Sequence, residues 1–345
     1  MTGPAAAVPV PIRLPLNGFP HFYRGGARIA AFRGLPASAV PGPEDWVGST
    51  VTRFGEPRLG LTVLPDGRTL RDAVAADPQA WLGPEHVARF GADPALLVKL
   101  LDAGQRLVVH AHPDRDFARR HLDCPHGKTE AWVVVETAGP GATVYLGFRE
   151  EIPEVRLREW VRDQRTDLLL DALNEVPVRP GDALLVPAGL PHAIGPGALI
   201  VELQEPTDFS VLLEWKGFDV GPDSGHLGIG YAAALGCVDR TAWSPARLAA
   251  LRGPADDGSR QQRWLPAAAD PFFRAERLRG GVPVPAGFCV LVVTAGRGHL
   301  AAPPEPMRLG RGDTVLVPWS VGPYTLTGDL TVVRCAPPDP AGAPR

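Results

Sequence analysis

The chain has 345 residues, of which 45% are apolar and 21% charged, and its formal net charge is -3. That length suits two domains or one large two-part fold. The near-neutral charge gives no electrostatic footing on nucleic acid or an anionic membrane, and no apolar run is long enough to span a bilayer.

The first segment, "MTGPAAAVPVPIRLPLNG", lacks a cationic start ahead of an apolar stretch and is interrupted by prolines, so it does not read as a signal peptide. Residues 28–64 read as short strands and turns. The first helical region is expected over 65–90, with Thr69 as a cap and Pro78 and Pro94 as breakers. Beyond it, β-branched runs at 130–136, 142–148, 182–187 and 198–204 predict strands. Between them, 156–176 reads as helical, and 225–239 is a weaker helix candidate. A polar linker is expected at 253–262, followed by a β-rich block over 282–336. The 39 prolines and 39 glycines fit such a mainly β protein with many turns. Cys124, Cys237, Cys289 and Cys335 are far apart with no C-x-x-C spacing. They indicate neither a disulfide framework nor a cysteine zinc site, and they fit a reducing cytoplasm. Cys289 and Cys335 read as small core residues.

One internal repeat is legible. "RPGDALLVPAGLPHAIGPGALIVELQEP" (179–206) aligns without gaps on the text from Gly310, with nine identities in 28 positions at an offset of 131. The identities include Gly181/Gly312, Pro187/Pro318 and Gly197/Gly328, positions that shape turns. Two copies of one β-fold are therefore expected. In that alignment His192, Glu202 and Gln204 become Pro323, Val333 and Cys335, which assigns any chemistry to the first copy.

The chemistry-bearing text begins at "AGQRLVVHAHP" (103–113). Residues two apart on a strand share a face, so His110 and His112 point the same way, as do Lys128 and Glu130 in "GKTEAWVVVE". Both pairs border apolar strands, as expected for groups lining a cavity inside a barrel. His192 follows the tight "PAGLP" turn. Three imidazoles and one carboxylate suit a divalent transition metal with positions left for substrate oxygens. Lys128 is one of three lysines (with Lys99 and Lys216), and its place beside Glu130 favours function over a solvated strand end. Glu202 reads equally as a site residue or as the partner of a buried arginine. His121 and His126 are expected in a solvated loop, with residues 114–116 capping a helix after "HPD".

"GQRLVVHAH" fits G-x5-H-x-H and "GDALLVPAGLPH" fits G-x5-P-x-G-x2-H; these resemble the two half-motifs of the cupin superfamily. The glutamate departs from the usual cupin spacing, with 17 residues between His112 and Glu130. More closely, "LLVKLLDAGQRLVVHAHPDRDFARRHLDCPHGKTEAWVVVE", "VPAGLPHAIGPGALIVELQEPTD" and "GPEDWVGS" resemble type I phosphomannose isomerases over roughly residues 25–340. The resemblance implies two cupin-like jelly-roll β-barrels with a few helices in and beside the first. It implies a catalytic unit over 1–252, the linker 253–262, and a degenerate second unit over 263–345. It further implies a zinc-dependent aldose–ketose isomerase, acting on mannose 6-phosphate through an enediolate, in the cytoplasm, as a monomer or homodimer. Its metal ligands would be His112, Glu130 and His192, with His110 where the family has glutamine. Lys128 and Glu202 would be catalytic, with Lys128, Gln204 and Lys216 binding substrate. The family's "S-D-x-T-x-R" is here "TDFSVLL", so its arginine position holds Leu212 and Lys216 is the nearest cation in sequence. Three other readings are an isomerase of a different or unphosphorylated sugar, a cupin metal-dependent oxidoreductase such as an iron or manganese dioxygenase, and a non-catalytic sugar-binding protein.

Overall fold

A computed structural model describes residues 9–342; the first eight residues of the segment read as no signal peptide lie outside them. Two antiparallel sheets face each other in the first part of the chain. One has six strands in the order Gly18–Phe19, Glu44–Val47, Leu97–Asp102, Ala198–Gln204, Glu130–Thr137 and Ala183–Val186. The other has five: Val211–Leu212, His110–Ala111, His192–Ile194, Ala142–Phe148 and Leu173–Val178. Side-chain alternation decides what packs between them. Ile200, Trp132, Leu184 and Val186 leave the first sheet on one side and meet Val144, Leu146 and Ile194 of the second.

The opposite face of the six-stranded sheet is equally apolar. Leu199, Val201, Leu203, Ala131 and Leu185 pack against Val290, Val292, Leu316, Val333 and Cys335 of a third sheet, which has eight strands. Coverage on both faces explains why Leu97–Asp102 and Ala198–Gln204 are buried at every position. The third sheet is built mostly from residues beyond 260, but its edge strand is Ile12–Arg13, paired with Thr314–Val317.

Several helices follow the sequence reading. The 65–90 region divides into Leu70–Ala76, Pro78–Leu82 and Pro84–Phe90, with the Thr69 side chain accepting from the Asp72 amide. Others depart from it. Within 28–64, expected as strands and turns, Ala27–Arg33 is a helix. It buries Ile29, Ala30 and Phe32 at helical spacing and stops at Gly34, whose φ of 64° closes the C-terminus. The 156–176 helix breaks in two, Glu154–Arg162 and Thr166–Ala172, and its end becomes the strand Leu173–Val178, which buries Leu173, Val176 and Val178 and exposes Glu175 and Pro177. The 225–239 candidate holds only a short helix, Tyr231–Ala234, followed by a single 3-10 turn. Among the described residues no helix is long and apolar enough to cross a membrane.

The repeat is visible, with one correction to its register. Ala131 pairs with Leu185 on one side and Leu203 on the other; Val290 pairs with Leu316 and Cys335. Leu185 and Leu316 keep the offset of 131, while Leu203 and Cys335 are one residue further apart. The counterpart of Glu202 is therefore Arg334, not Val333, and Cys335 is not the counterpart of Gln204. An extra residue shifts the last strand, and a one-residue shift exchanges the faces of every side chain on it.

Candidate metal centre and its cavity

Backbone pairing brings the three histidines together. His110 is directly opposite His192 across the strand pair, and His112 follows two residues on, on the same face. Ring centroids are 4.1 Å apart for His110 and His192, and 4.9 Å for each of the other two pairs. Each Nδ1 is 2.7–2.9 Å from a main-chain carbonyl: Val108 for His110, Phe209 for His112 and Leu190 for His192. A carbonyl only accepts, so each Nδ1 carries the proton and each Nε2 presents a lone pair.

Glu130 opens its strand beside them, with Oε2 3.0 Å from His112 Nε2 and Oε1 3.4 Å from His192 Nε2. The 17-residue excursion before it closes on itself. The Lys128 amide donates to the Pro113 carbonyl at 2.9 Å, so the chain re-enters where it left. At Gly127 a Cβ would lie 2.6 Å from that same carbonyl, so the close approach requires glycine. Inside the excursion, the Asp114 carboxylate caps the helix Arg115–His121 by accepting from the Phe117 amide. His121 is exposed, and His126 is 2.6 Å from Asp93.

Burial, followed by the neighbouring imidazoles, holds His110 well below the usual histidine range; burial and then Lys128 push His112 down to about 3. For Glu130 burial acts in the opposite direction, but Lys128 and His112 outweigh it and the carboxyl stays well below its ordinary value. Neutral imidazoles with convergent lone pairs beside an ionised carboxylate are the donor set a divalent transition metal takes. The nitrogens of His110, His112 and His192 lie within 4.8 Å of one another, and His192 Nε2 is buried without a hydrogen-bond partner among the described residues. The residues therefore fit a metal ion.

His110 and Glu130 line a cavity of about 920 Å³. Lys128 lines it, donating to Glu130 Oε2 at 2.7 Å. Glu202 lines it too, facing Lys99 at 3.7 Å and Lys128 at 4.0 Å. Burial first, then Glu130, outweigh these two ammonium groups and push the Glu202 carboxyl up to about 7. Gln204 is buried and opposite Glu130, but its amide nitrogen is turned to the Glu205 and Thr207 carbonyls and it does not line the cavity. Lys216 is not brought to the cavity either. The buried Glu214 carboxylate is clamped by Arg106 at 2.7 Å, and the chain then turns outward, leaving Lys216 exposed with its amide on Gln164.

Among the cavity residues not singled out from the sequence are Glu44, Lys99, Asp208 and His21. Glu44 accepts from Tyr23 and Trp46, each at 2.7 Å, and lies 3.3 Å from Lys99. Asp208 is 3.9 Å from Lys99. Burial works against the Lys99 charge, but Glu44, Glu202 and Asp208 outweigh it and raise its pKa. His21 is buried with neither ring nitrogen hydrogen-bonded among the described residues, and burial holds it below the usual histidine range. Glu44 and Lys99 lay within the quoted "EDW" and "KLLDA" text; for His21 and Asp208 there was no signal of spacing.

No protein-family model matches the chain. The sheets and the histidine cluster define the fold of the type I phosphomannose isomerases, a cupin-type fold. A mannose 6-phosphate isomerase from Bacillus subtilis superposes with a TM-score of 0.70 at 20% identity, over 95% of this chain and 99% of that one. A mannose 6-phosphate isomerase bound with zinc and yttrium superposes at 0.70 and 15% identity, again over 95% and 99%. In sequence, the mannose-6-phosphate isomerase of Streptococcus mutans serotype c is 29% identical over 260 residues, 72% of this chain and 77% of that protein. Other curated relatives align over 34% to 40% of their own length. The chain is a homologue of the mannose-6-phosphate isomerases.

Proposed function

We propose that this protein is a metal-dependent aldose–ketose isomerase that interconverts mannose 6-phosphate and fructose 6-phosphate through an enediolate. The observation that carries the reading is the convergence of three Nδ1-protonated imidazoles and Glu130 on one point, beside Lys128 and Glu202 in a single cavity. His110, His112, Glu130 and His192 would hold the metal, for which zinc suits the nitrogen-rich set and is found in a structural neighbour. When bound, it would supply Lewis-acid polarisation of the sugar carbonyl.

The chain's own groups handle the protons. Isomerisation removes the C2 proton, protonates O1, delivers a proton to C1 and takes one from O2. Glu202, with its carboxyl pushed up to about 7, is poised to accept and return a proton near neutral pH. Lys128 would stabilise negative charge on the enediolate oxygens. Lys99 and Glu44 hold one another ionised and fix the far wall of the cavity. We assign this chemistry to residues 1–252, with 253–262 as the linker and 263–345 as a second unit that binds no metal. The ligand is a small-molecule sugar phosphate, with no nucleic-acid or membrane partner, in a cytoplasmic monomer or homodimer.

The test is conversion of mannose 6-phosphate to fructose 6-phosphate by zinc-loaded protein with a chelated sample beside it. Turnover lost on chelation supports the reading. A metal-loaded protein without turnover removes mannose 6-phosphate as its substrate.

A further inference from the structure

A phosphosugar needs a cation at its far end, and Leu212, buried in the cavity wall, cannot supply one. The cations among the described cavity residues are Arg53, Lys99 and Lys128. Two of them are buried and engaged: Lys99 by Glu44 and Glu202 at 3.3 and 3.7 Å, Lys128 by Glu130 at 2.7 Å. Arg53 differs. It is half-buried, and its guanidinium pairs with no carboxylate among the described residues.

The loop that carries Arg53 is fixed. Its amide donates to the Leu59 carbonyl at 2.8 Å, and Gly60 is pressed so closely on Trp46 that a Cβ would lie 2.7 Å from the indole. Next in the chain, the Phe54 amide donates to Asp208 at 3.0 Å, and its ring meets Phe209 edge-on at 5.7 Å. Phe209 is also the residue whose carbonyl takes the Nδ1 proton of His112 at 2.7 Å. One residue thus ties the Arg53 loop to the candidate metal ligands and sets the span between them. Arg53 lines the cavity together with His21, Lys99 and Asp208. Elsewhere the cavity rim carries exposed carboxylates, Glu56, Asp219 and Asp223, which repel a dianion.

We propose that Arg53 is the phosphate-binding cation of this cavity. An arginine fork matches two phosphate oxygens, and a guanidinium without a carboxylate partner has its donors available for them. The identity of the sugar rests on the isomerase reading above; the anchoring role does not.

Zinc-loaded wild type, Arg53→Gln, Arg53→Lys and Arg58→Gln are compared in three measurements. These are kcat and KM on mannose 6-phosphate and on mannose, mannose 6-phosphate binding by calorimetry, and thermal melting. Arg58 is exposed on the same loop and outside the cavity lining. We expect Arg53→Gln to raise both KM and the dissociation constant for mannose 6-phosphate about tenfold or more, as for a lost charge-assisted hydrogen bond. The fall in kcat should be much smaller and the penalty on mannose smaller still. Arg53→Lys should recover part of the affinity, and Arg58→Gln should match wild type. An Arg53→Gln protein that binds mannose 6-phosphate like wild type overturns the proposal, whatever its turnover. So does a wild type that isomerises mannose but does not bind mannose 6-phosphate, a result that leaves the isomerase reading standing. Arg53-dependent binding without turnover of either sugar keeps the anchor and removes the isomerase.

Discussion

Glu202 and Arg334 stand at corresponding places in two copies of one sheet, each on the strand that pairs with the Ala131 or Val290 strand and each facing its own interior. Around Glu202 the interior is a cavity with His110, Lys128, Glu130 and Lys99 in its walls. Around Arg334 it is filled. Leu278, Leu291, Val293, Leu326 and Val332 pack there, Cys289 Sγ is 3.4 Å from the Tyr324 hydroxyl, and Glu276 pairs with the arginine. Cys289 holds the strand position of Glu130, since each is the residue before the Ala131/Val290 pair. The second copy has therefore not simply lost its polar groups. Where the first copy has a convergent set of lone pairs, it has a thiol beside a phenol and a guanidinium paired with a carboxylate.

That contrast can be broken most forcefully at the metal. Replacing His112 or His192 with alanine, or removing metal with a chelator, should lower isomerase activity by at least about a thousandfold. Metal analysis of the same samples should show the ion lost in step; full activity without metal would equate the two copies again. Glu202→Gln keeps the shape but cannot accept a proton, and kcat should fall on the order of 10²- to 10⁴-fold with metal retained.

In the second copy the effect should reverse in kind. Arg334→Met leaves Glu276 without its arginine, with only the Gln261 amide, among the described residues, donating to it at 3.0 Å. Because Glu276 is about a quarter exposed, the loss of stability should be about 2 kcal/mol, below the range for a fully buried pair. Denaturant melts would read that loss while kcat stayed at the wild-type value. A variant that loses activity at full stability would show that the second copy takes part in catalysis.

The smallest expected effect is on pH dependence in the chelated protein. The Glu202 carboxyl lies near 7 when folded against an ordinary 4.5, so the folded state binds more protons between those values. This group's contribution is fully present below about 4.5 and is lost as pH rises through about 7. Buried His110 and His112 slope the other way below their ordinary value, so the comparison must be wild type against Glu202→Gln. Relative to the variant, wild type should lose stability between those two pH values; parallel curves would place the Glu202 pKa at its ordinary value.

The strand text and both histidine half-motifs were legible because they are local: "HAH" shares one face of one strand, and "PAGLPH" is a single turn. The rest of the site was assembled by pairing. Trp46, Lys99 and Glu202 form one row across three strands, which brings Lys99 to Glu44 and Glu202 although these residues come from three distant segments. Sequence spacing holds no record of that row. Lys216 was misplaced for a similar reason: four residues past Leu212 is near in the chain, but the Arg106–Glu214 pair ends the strand and sends the chain outward. The helix Ala27–Arg33 was missed because its seven residues offer one buried stripe with no side-chain cap to announce its start. The repeat was found and its register misjudged by one, since glycines and prolines mark turns and do not count the residues of the strand that follows.

The most direct measurement is reconstitution: chelated protein titrated with zinc while mannose 6-phosphate conversion and bound metal are followed together. One zinc per chain should restore fructose 6-phosphate formation, with activity tracking occupancy to that single equivalent. A protein that takes up its zinc at these histidines yet converts neither mannose 6-phosphate nor mannose would contradict the assignment of an isomerase to the first copy.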